Sequence, residues 1–369
     1  MSSELIIVYS FSRLEPMYDV VVVGCGPAGA MAVKRCAELG LKVLGLEKYP
    51  LPRHKPCAGV LYPRVLEDFN IDEKTVASQV IGVKIVAPNE TYATVEFPEP
   101  GAVVYRKKFD YTLVKKAVKA GGIVSDNSKV LAVHQSKNIC RVLLENKIIE
   151  AKYVIAADGV YSIVARNTGK LWSKENLAIT IQAYLKVSPK DKKTIGKYFE
   201  VHYNASTTPG GWTWIAEREK DIVVGLGYPL KYLKTGKELK EKLQAFIEKR
   251  FEEKQIIKLE TYMLPITGPK NPEDLTVGNI VFTGDAGGFI RSDTGEGIYY
   301  AMHSGLAAAE TIHEAINTKT LLKETYLAKI EDHGLKHLYQ QTELKTILLD
   351  NNKIEKYVKK LQKLSKRFK

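Results

Sequence analysis

The chain has 369 residues, a formal net charge of +13, 45% hydrophobic residues and four cysteines. That length exceeds one ordinary core and predicts two lobes, with enough apolar residues to fill both. Cys25, Cys36, Cys57 and Cys140 show neither CxxC nor metal-ligand spacing, which excludes a disulfide scaffold and an iron–sulfur module, and no apolar run reaches the about 18 residues that span a bilayer. A reducing cytoplasm fits such cysteine usage, and no metal is expected. No motif or stacking platform for nucleic acid accompanies the positive charge. Met17 stands directly before the first strand, so residues 1–16 read as lying upstream of the real start.

Tyr18 to Val23 is a β-branched apolar run, followed by Gly24, Gly26 and Gly29 in a GxGxxG turn; Ala28 to Leu39 then reads as a helix and Leu41 to Leu46 as a second strand. In such a βαβ unit Gly24 permits the tight turn, Gly26 lets the backbone approach a diphosphate, and Gly29 lets helix pack on strand. The helix N-terminus offers free amides to the phosphates. Glu47 lies 18 residues past Gly29, where a carboxylate takes a ribose hydroxyl. Arg53, His54 and Lys55 then make a basic loop, suited to a phosphate or an anionic donor, or simply solvated.

Short alternating strands, Val83 to Ala87 and Tyr92 to Phe97, open a second lobe. Arg106 to Ala120 is helical, and Val124 with the hairpin Val130 to Leu144 leads back to the first lobe at Tyr153 to Ala157. Ala157-Asp158-Gly159, with Ser162 and Arg166, is either a common turn or a further ligand contact. From residue 175 the strands Ala178 to Val187, Tyr198 to His202, Trp212 to Ala216 and Ile222 to Leu226 alternate apolar and polar, which means a sheet with one covered face. Leu239 to Phe251 follows as an amphipathic helix. Trp212 and Trp214 share a strand face and either wall an apolar slot or fill the core.

The strand Asn279 to Thr283 ends in Gly284-Asp285, and Ala286, Gly287 and Gly288 leave space for a flat ligand. The Asp285 carboxylate can accept a hydroxyl proton from a ribityl chain. NAD has no such chain, so the expected cofactor is FAD. Gly295, Glu296, Gly297 and Ile298 start the helix Tyr299 to Thr311, whose positive end would face the flavin and favour its anionic reduced form. At the end, Ile354, Tyr357, Val358, Leu361 and Leu364 follow helical spacing among eight basic residues between Asn351 and Lys369. Such a helix either lies on an anionic membrane surface or caps the protein.

The three glycine-bearing strings are similar, in order and spacing, to the p-hydroxybenzoate hydroxylase-like FAD superfamily. Within it the chain most resembles the geranylgeranyl reductase family, which hydrogenates isoprenoid double bonds in archaeal lipids and chlorophyll precursors. Four stretches carry this: His54-Lys55-Pro56-Cys57-Ala58-Gly59, Arg106 with Phe109-Asp110, Pro209 to Trp214, and Thr294 to Ala301. The resemblance implies an α/β fold with a Rossmann-like FAD-binding lobe (17–75, 100–174 and 276–320), an antiparallel-sheet substrate lobe (76–99 and 175–275) and a C-terminal helical segment (321–369). It places Gly24, Gly26, Pro27, Ala28, Gly29, Glu47, Lys48, Cys57, Ala58, Arg106, Val130, Asp158, Gly284, Asp285, Gly295, Gly297 and Ile298 on FAD, with Cys57 also catalytic. Pro209, Gly211, Trp212 and Trp214 are implied on the substrate side. The family's usual Pro-x-x-Tyr-x-Trp-x-Phe-Pro reads here with Trp212 for Tyr and Ala216-Glu217 for Phe-Pro.

The resemblance implies FAD-dependent reduction of geranylgeranyl double bonds. An isolated alkene has no carbonyl to accept charge, so hydride transfer needs simultaneous protonation of the neighbouring carbon in a dry pocket. The scaffold also hosts monooxygenases and halogenases, and Trp212-Thr213-Trp214-Ile215 partly resembles the halogenase Trp-x-Trp-x-Ile-Pro string; a non-catalytic electron carrier is a third reading. A second GxGxxG is absent, which leaves NADPH bound transiently at the flavin, or an acidic iron–sulfur partner such as ferredoxin, as electron donor.

Overall fold

Val20, Val21 and Val22 are all fully buried because their strand, Tyr18–Val23, lies inside a sheet covered on both faces. The computed structural model describes residues 17–136, 138–340 and 343–365. Its first sheet runs in the order Thr276–Val277, Ile280–Phe282, Ile148–Ala156, Tyr18–Val23, Val43–Leu46, Ile123–Ser125, parallel from the second strand to the last. An antiparallel hairpin, Ala132–Ser136 and Ile139–Leu143, adds onto Ile148–Ala156. Alternation divides the central strand between two cores. Val20 and Val22 pack with Val33, Ala308 and Ile312 of the helices Pro27–Glu38 and Ile298–Thr318, whereas Val21 and Val23 pack with Val142, Ile149 and Val164 on the hairpin side.

The second sheet runs Lys254–Pro265, Leu177–Val187, Ile222–Pro229, Trp212–Glu217, Tyr198–His202, Val76–Val86, Tyr92–Val104, Val60–Leu61. Every neighbouring pair is antiparallel except Tyr198–His202 with Val76–Val86. One face is closed by the helix Gly236–Arg250, whose Leu239, Leu243 and Ile247 meet Ile181, Ile215 and Val224. The opposite face looks toward the first sheet.

Two features differ from the sequence expectations. The strand Tyr92–Val104 carries second-sheet pairing past residue 100, and Val60–Leu61, inside the first expected FAD segment, pairs with its end. Residues 97–100 bulge from the ladder between Glu96 and Gly101, which hides the continuation in sequence because Pro98 and Pro100 read as a break. The edge strand Lys254–Pro265 is exposed over residues 254–258, largely half-buried beyond, and carries no clean alternation.

The tail takes one of its two expected readings, that of a helix capping the protein. In the helix Asn351–Ser365, Ile354 and Val358 are fully buried against Ile85, Ala93, Val201 and Tyr203. The apolar stripe that suits a membrane surface is therefore used within the fold, while Lys353, Lys356, Lys359, Lys360 and Lys363 face solvent. Residues 1–16 and 366–369 lie outside the described residues. Among the described residues no helix is long and apolar enough to cross a membrane, and no cluster could hold a metal ion.

Candidate active site

The two sheets enclose a cavity of ≈ 1400 Å³. A single small-ligand pocket is about 300–1,000 Å³, so this volume suits more than one ligand.

At one end lies the GxGxxG turn. Gly24 has φ +91°, and a Cβ there would stand 2.5 Å from the Ala157 carbonyl oxygen, so the turn rests directly on the Asp-Gly string. A Cβ on Gly29 would overlap the Gly24 carbonyl; this glycine packs helix on turn and does not reach the cavity wall. The helix Pro27–Glu38 has Gly26 as N-cap with no side-chain cap, leaving first-turn amides for an anion. Glu47 is buried and accepts from Cys25 N at 3.2 Å, Tyr49 N at 3.2 Å and Arg53 Nε at 3.0 Å, while still lining the cavity with Lys48 and Val130.

Asp158 caps the short helix Ile163–Asn167: Oδ2 accepts from Ile163 N at 2.8 Å and Val164 N at 3.3 Å. Among the described residues its Oδ1 has no partner; it is buried on the cavity wall, and burial pushes the carboxyl pKa up. An orphaned acceptor beside an open helix end and a glycine turn fits a polyhydroxylated dinucleotide such as FAD.

Further along, one carboxylate joins two arginines. Arg106 holds Asp110 through Nε to Oδ1 at 2.7 Å and Nη2 to Oδ2 at 2.9 Å; Arg53 Nη1 donates to the same Oδ2 at 2.9 Å and so ties Asp110 to Glu47. Burial alone would raise the Asp110 pKa, but Arg106 and Arg53 hold it below the usual carboxylate range. The Arg106 guanidinium also reaches Cys57, whose sulfur accepts from Gly59 N at 3.4 Å. Cys57, Ala58 and Arg106 line the cavity, as do Gly284, Asp285, Gly295, Gly297 and Ile298. Among the described residues nothing donates to the Asp285 side chain, and Gly297 next to it N-caps the helix Ile298–Thr318 without a side-chain cap. Ala286, Gly287 and Gly288 do not line the cavity, contrary to the space expected there for a flat ligand. A Cβ on Gly287 would press on Phe282 and Phe289, and one on Gly288 on Gly268 and Trp172, so these small residues admit protein neighbours.

The second sheet supplies the apolar end. Trp212 and Trp214 both line the cavity. The Trp214 ring lies against Gly225, where any Cβ would overlap it, and among the described residues its buried indole nitrogen has no partner. The Trp212 ring spans to Gly295 of the opposite lobe, 2.7 Å from where a Cβ would stand. Gly211 lines the cavity and Pro209 does not.

Sequence patterning does not single out Tyr262, on the unread edge strand, or Glu296 as a buried acid. Glu296 pairs with Arg64, while among the described residues its Oε1 has no partner at the wall. Neither residue carries a motif by itself; only the tertiary pairing of Lys254–Pro265 with Leu177–Val187 brings Tyr262 to the site.

The FAD binding domain family matches residues 17–341. The chain is 32% identical over 325 residues to a digeranylgeranylglycerophospholipid reductase of Methanocaldococcus jannaschii, covering 85% of this chain and 81% of the relative. It is 31% identical over 330 residues to an uncharacterized protein of Methanosarcina barkeri, covering 87% and 82%. A solved geranylgeranyl bacteriochlorophyll reductase-like protein of Thermoplasma acidophilum superposes with TM-score 0.84 at 28% identity, covering 95% of this chain and 92% of that one. A flavin-dependent brominase, at 20% identity and TM-score 0.72, shares the fold. The fold, the cavity and these matches define an FAD-dependent oxidoreductase. The chain belongs to the geranylgeranyl reductase family of FAD-binding proteins.

Proposed function

We propose that the protein hydrogenates C=C bonds in the geranylgeranyl chains of a glycerophospholipid or a related prenyl compound. One observation carries this reading: a single cavity of ≈ 1400 Å³ has the dinucleotide cradle of the first sheet on one wall and the paired tryptophans of the second sheet on the other. When bound and reduced, FAD would supply a hydride to one alkene carbon and would be left oxidised. The protein's part is to keep that carbon dry and to manage charge at its neighbour. Trp212 and Trp214 present π faces that favour developing positive charge by about 1–2 kcal/mol each where desolvated. Cys57 is the proposed proton source: its S–H bond breaks as the new C–H bond forms, and Arg106 stabilises the thiolate left behind. Asp110 holds Arg106 in place for that task. NADPH or ferredoxin is proposed to return the electrons between turnovers.

The test uses FAD-loaded protein, chemically reduced under anaerobic conditions and mixed with a digeranylgeranyl glycerophospholipid. Product masses should rise by two hydrogens per double bond. An unchanged lipid, together with an oxygen-dependent product from an aromatic substrate, would replace this reading with the monooxygenase or halogenase one.

A further inference from the structure

The basic loop Arg53-His54-Lys55 does not behave as one unit. Arg53 is neutralised by Glu47 and Asp110, at 3.0 and 2.9 Å, and His54 Nε2 lies 2.6 Å from Glu260. Lys55 is different. Among the described residues no carboxylate lies within 4.0 Å of its ammonium, which sits 3.2 Å from the centroid of the Tyr262 ring on the cavity wall.

A π face is an incomplete partner for a cation taken from water. It returns only part of the hydration that an ammonium loses on leaving solvent. Burial accordingly pushes the Lys55 pKa down to about 8, with Asp285 opposing the drop from a greater distance. An anion within the cavity would complete the arrangement.

Two anionic parts of the cofactor compete for this role. The diphosphate belongs at the GxGxxG turn, and there Arg53 is already present: a Cβ on Gly26 would lie 3.3 Å from its Nη2. Lys55 is two residues further along, and the groups acting on its charge include Asp285 and Cys57, which the family resemblance puts on FAD beyond its diphosphate. The ring is neutral when oxidised. On taking up two electrons and one proton it carries one negative charge.

We propose that Lys55 is the cation that meets the charge of the reduced flavin ring, so that it sets the cofactor's reduction potential rather than its anchorage. This rests on FAD lying along the cavity as assigned, and not on the identity of the lipid. The open N-terminus of Ile298–Thr318 supplies partial positive charge to the same ring; Lys55 adds a full one.

The experiment compares Lys55→Met, Lys55→Gln and Lys55→Arg with the parent protein, all loaded with FAD and free of lipid. The two-electron midpoint potential is measured by dye equilibration, and the Kd of oxidised FAD by fluorescence. Lys55→Met and Lys55→Gln should shift the potential negative by about 30 mV or more, a tenfold loss in preference for reduced cofactor. Oxidised FAD should bind as before, and Lys55→Arg should keep most of the parent potential. An unchanged potential in the Met and Gln variants would overturn the proposal. So would equal weakening of oxidised and reduced FAD, or failure of both variants to retain FAD, since either result assigns Lys55 to the diphosphate. A protein that reduces no prenyl lipid would still show the shift, which separates this inference from the substrate reading.

Discussion

Arg106 and Asp110, one helical turn apart, form a buried two-bond pair at 2.7 and 2.9 Å, and Arg53 reaches the same carboxylate from the loop after the second strand. This carboxylate joins the dinucleotide end of the cavity, through Arg53 and Glu47, to Cys57, through Arg106. Asp110→Asn keeps the shape but leaves the buried Arg106 without its carboxylate and Arg53 with Glu47 alone. The expected cost is about 3–5 kcal/mol in urea unfolding, with weaker FAD binding. A stability within about 0.5 kcal/mol of the parent would mean that the arginines find other partners.

Acid sensitivity should trace to Glu200, which is fully buried in the second sheet and takes Lys84 at 3.0 Å, His202 at 3.0 Å and Arg250 at 3.3 Å. Burial alone would raise its pKa, but His202, Arg250 and Lys84 pull it down from 4.5 to about 2. A depressed carboxylate contributes stability that is present above pH 4.5 and is lost as pH falls toward 2. The contribution is about 3 kcal/mol in all, about 2 of it gone by pH 3. Urea unfolding at pH 6 and pH 3 should show that difference in the parent and a smaller one in Glu200→Gln.

The tryptophan wall can be tested at near-constant volume. Trp214→Phe retains a π face and Trp214→Leu removes it, so kcat/KM for the prenyl lipid should be roughly 5- to 30-fold lower in the Leu variant than in the Phe variant, corresponding to about 1–2 kcal/mol. Equal rates in the two would leave Trp214 as packing over Gly225.

The C-terminal helix should behave as part of the core. Ile354→Ala should cost about 2–5 kcal/mol, because Ile354 has no exposure and closes over Ile85 and Val201. Lys356→Ala and Lys360→Ala, on the solvent face, should each stay within about 0.5 kcal/mol. Co-sedimentation with anionic liposomes that survives high salt would contradict the packing of this stripe.

What could be read before the structure follows from which signals are local. The fingerprint turn, its helix and Glu47 are contiguous, and their roles follow from spacing. Arg106 and Asp110 are also local, at i and i+4 on one helix. The edge strand Lys254–Pro265 is not: half of its residues are exposed and only Pro265 is buried, so no hydrophobic period marks it, and Tyr262 goes unread with it. Gly287 and Gly288 mislead for another reason, since a small residue gives the same sequence signal whether it makes room for a ligand or for Trp172 and Phe289. The tail shows that ambiguity again: an apolar stripe of helical period fits a membrane or a sheet equally well, and only the contacts of Ile354 and Val358 decide.

The central claim is that one cavity holds a flavin and a prenyl chain in reactive contact. It is tested most directly by single-turnover reoxidation: the bound flavin is reduced without oxygen, a geranylgeranyl lipid is added, and the flavin's visible absorption band is followed. The account expects the band to return at a rate that depends on lipid concentration, with the saturated lipid giving no return. A flavin that stays reduced with every prenyl lipid and reoxidises only when oxygen is admitted would contradict it.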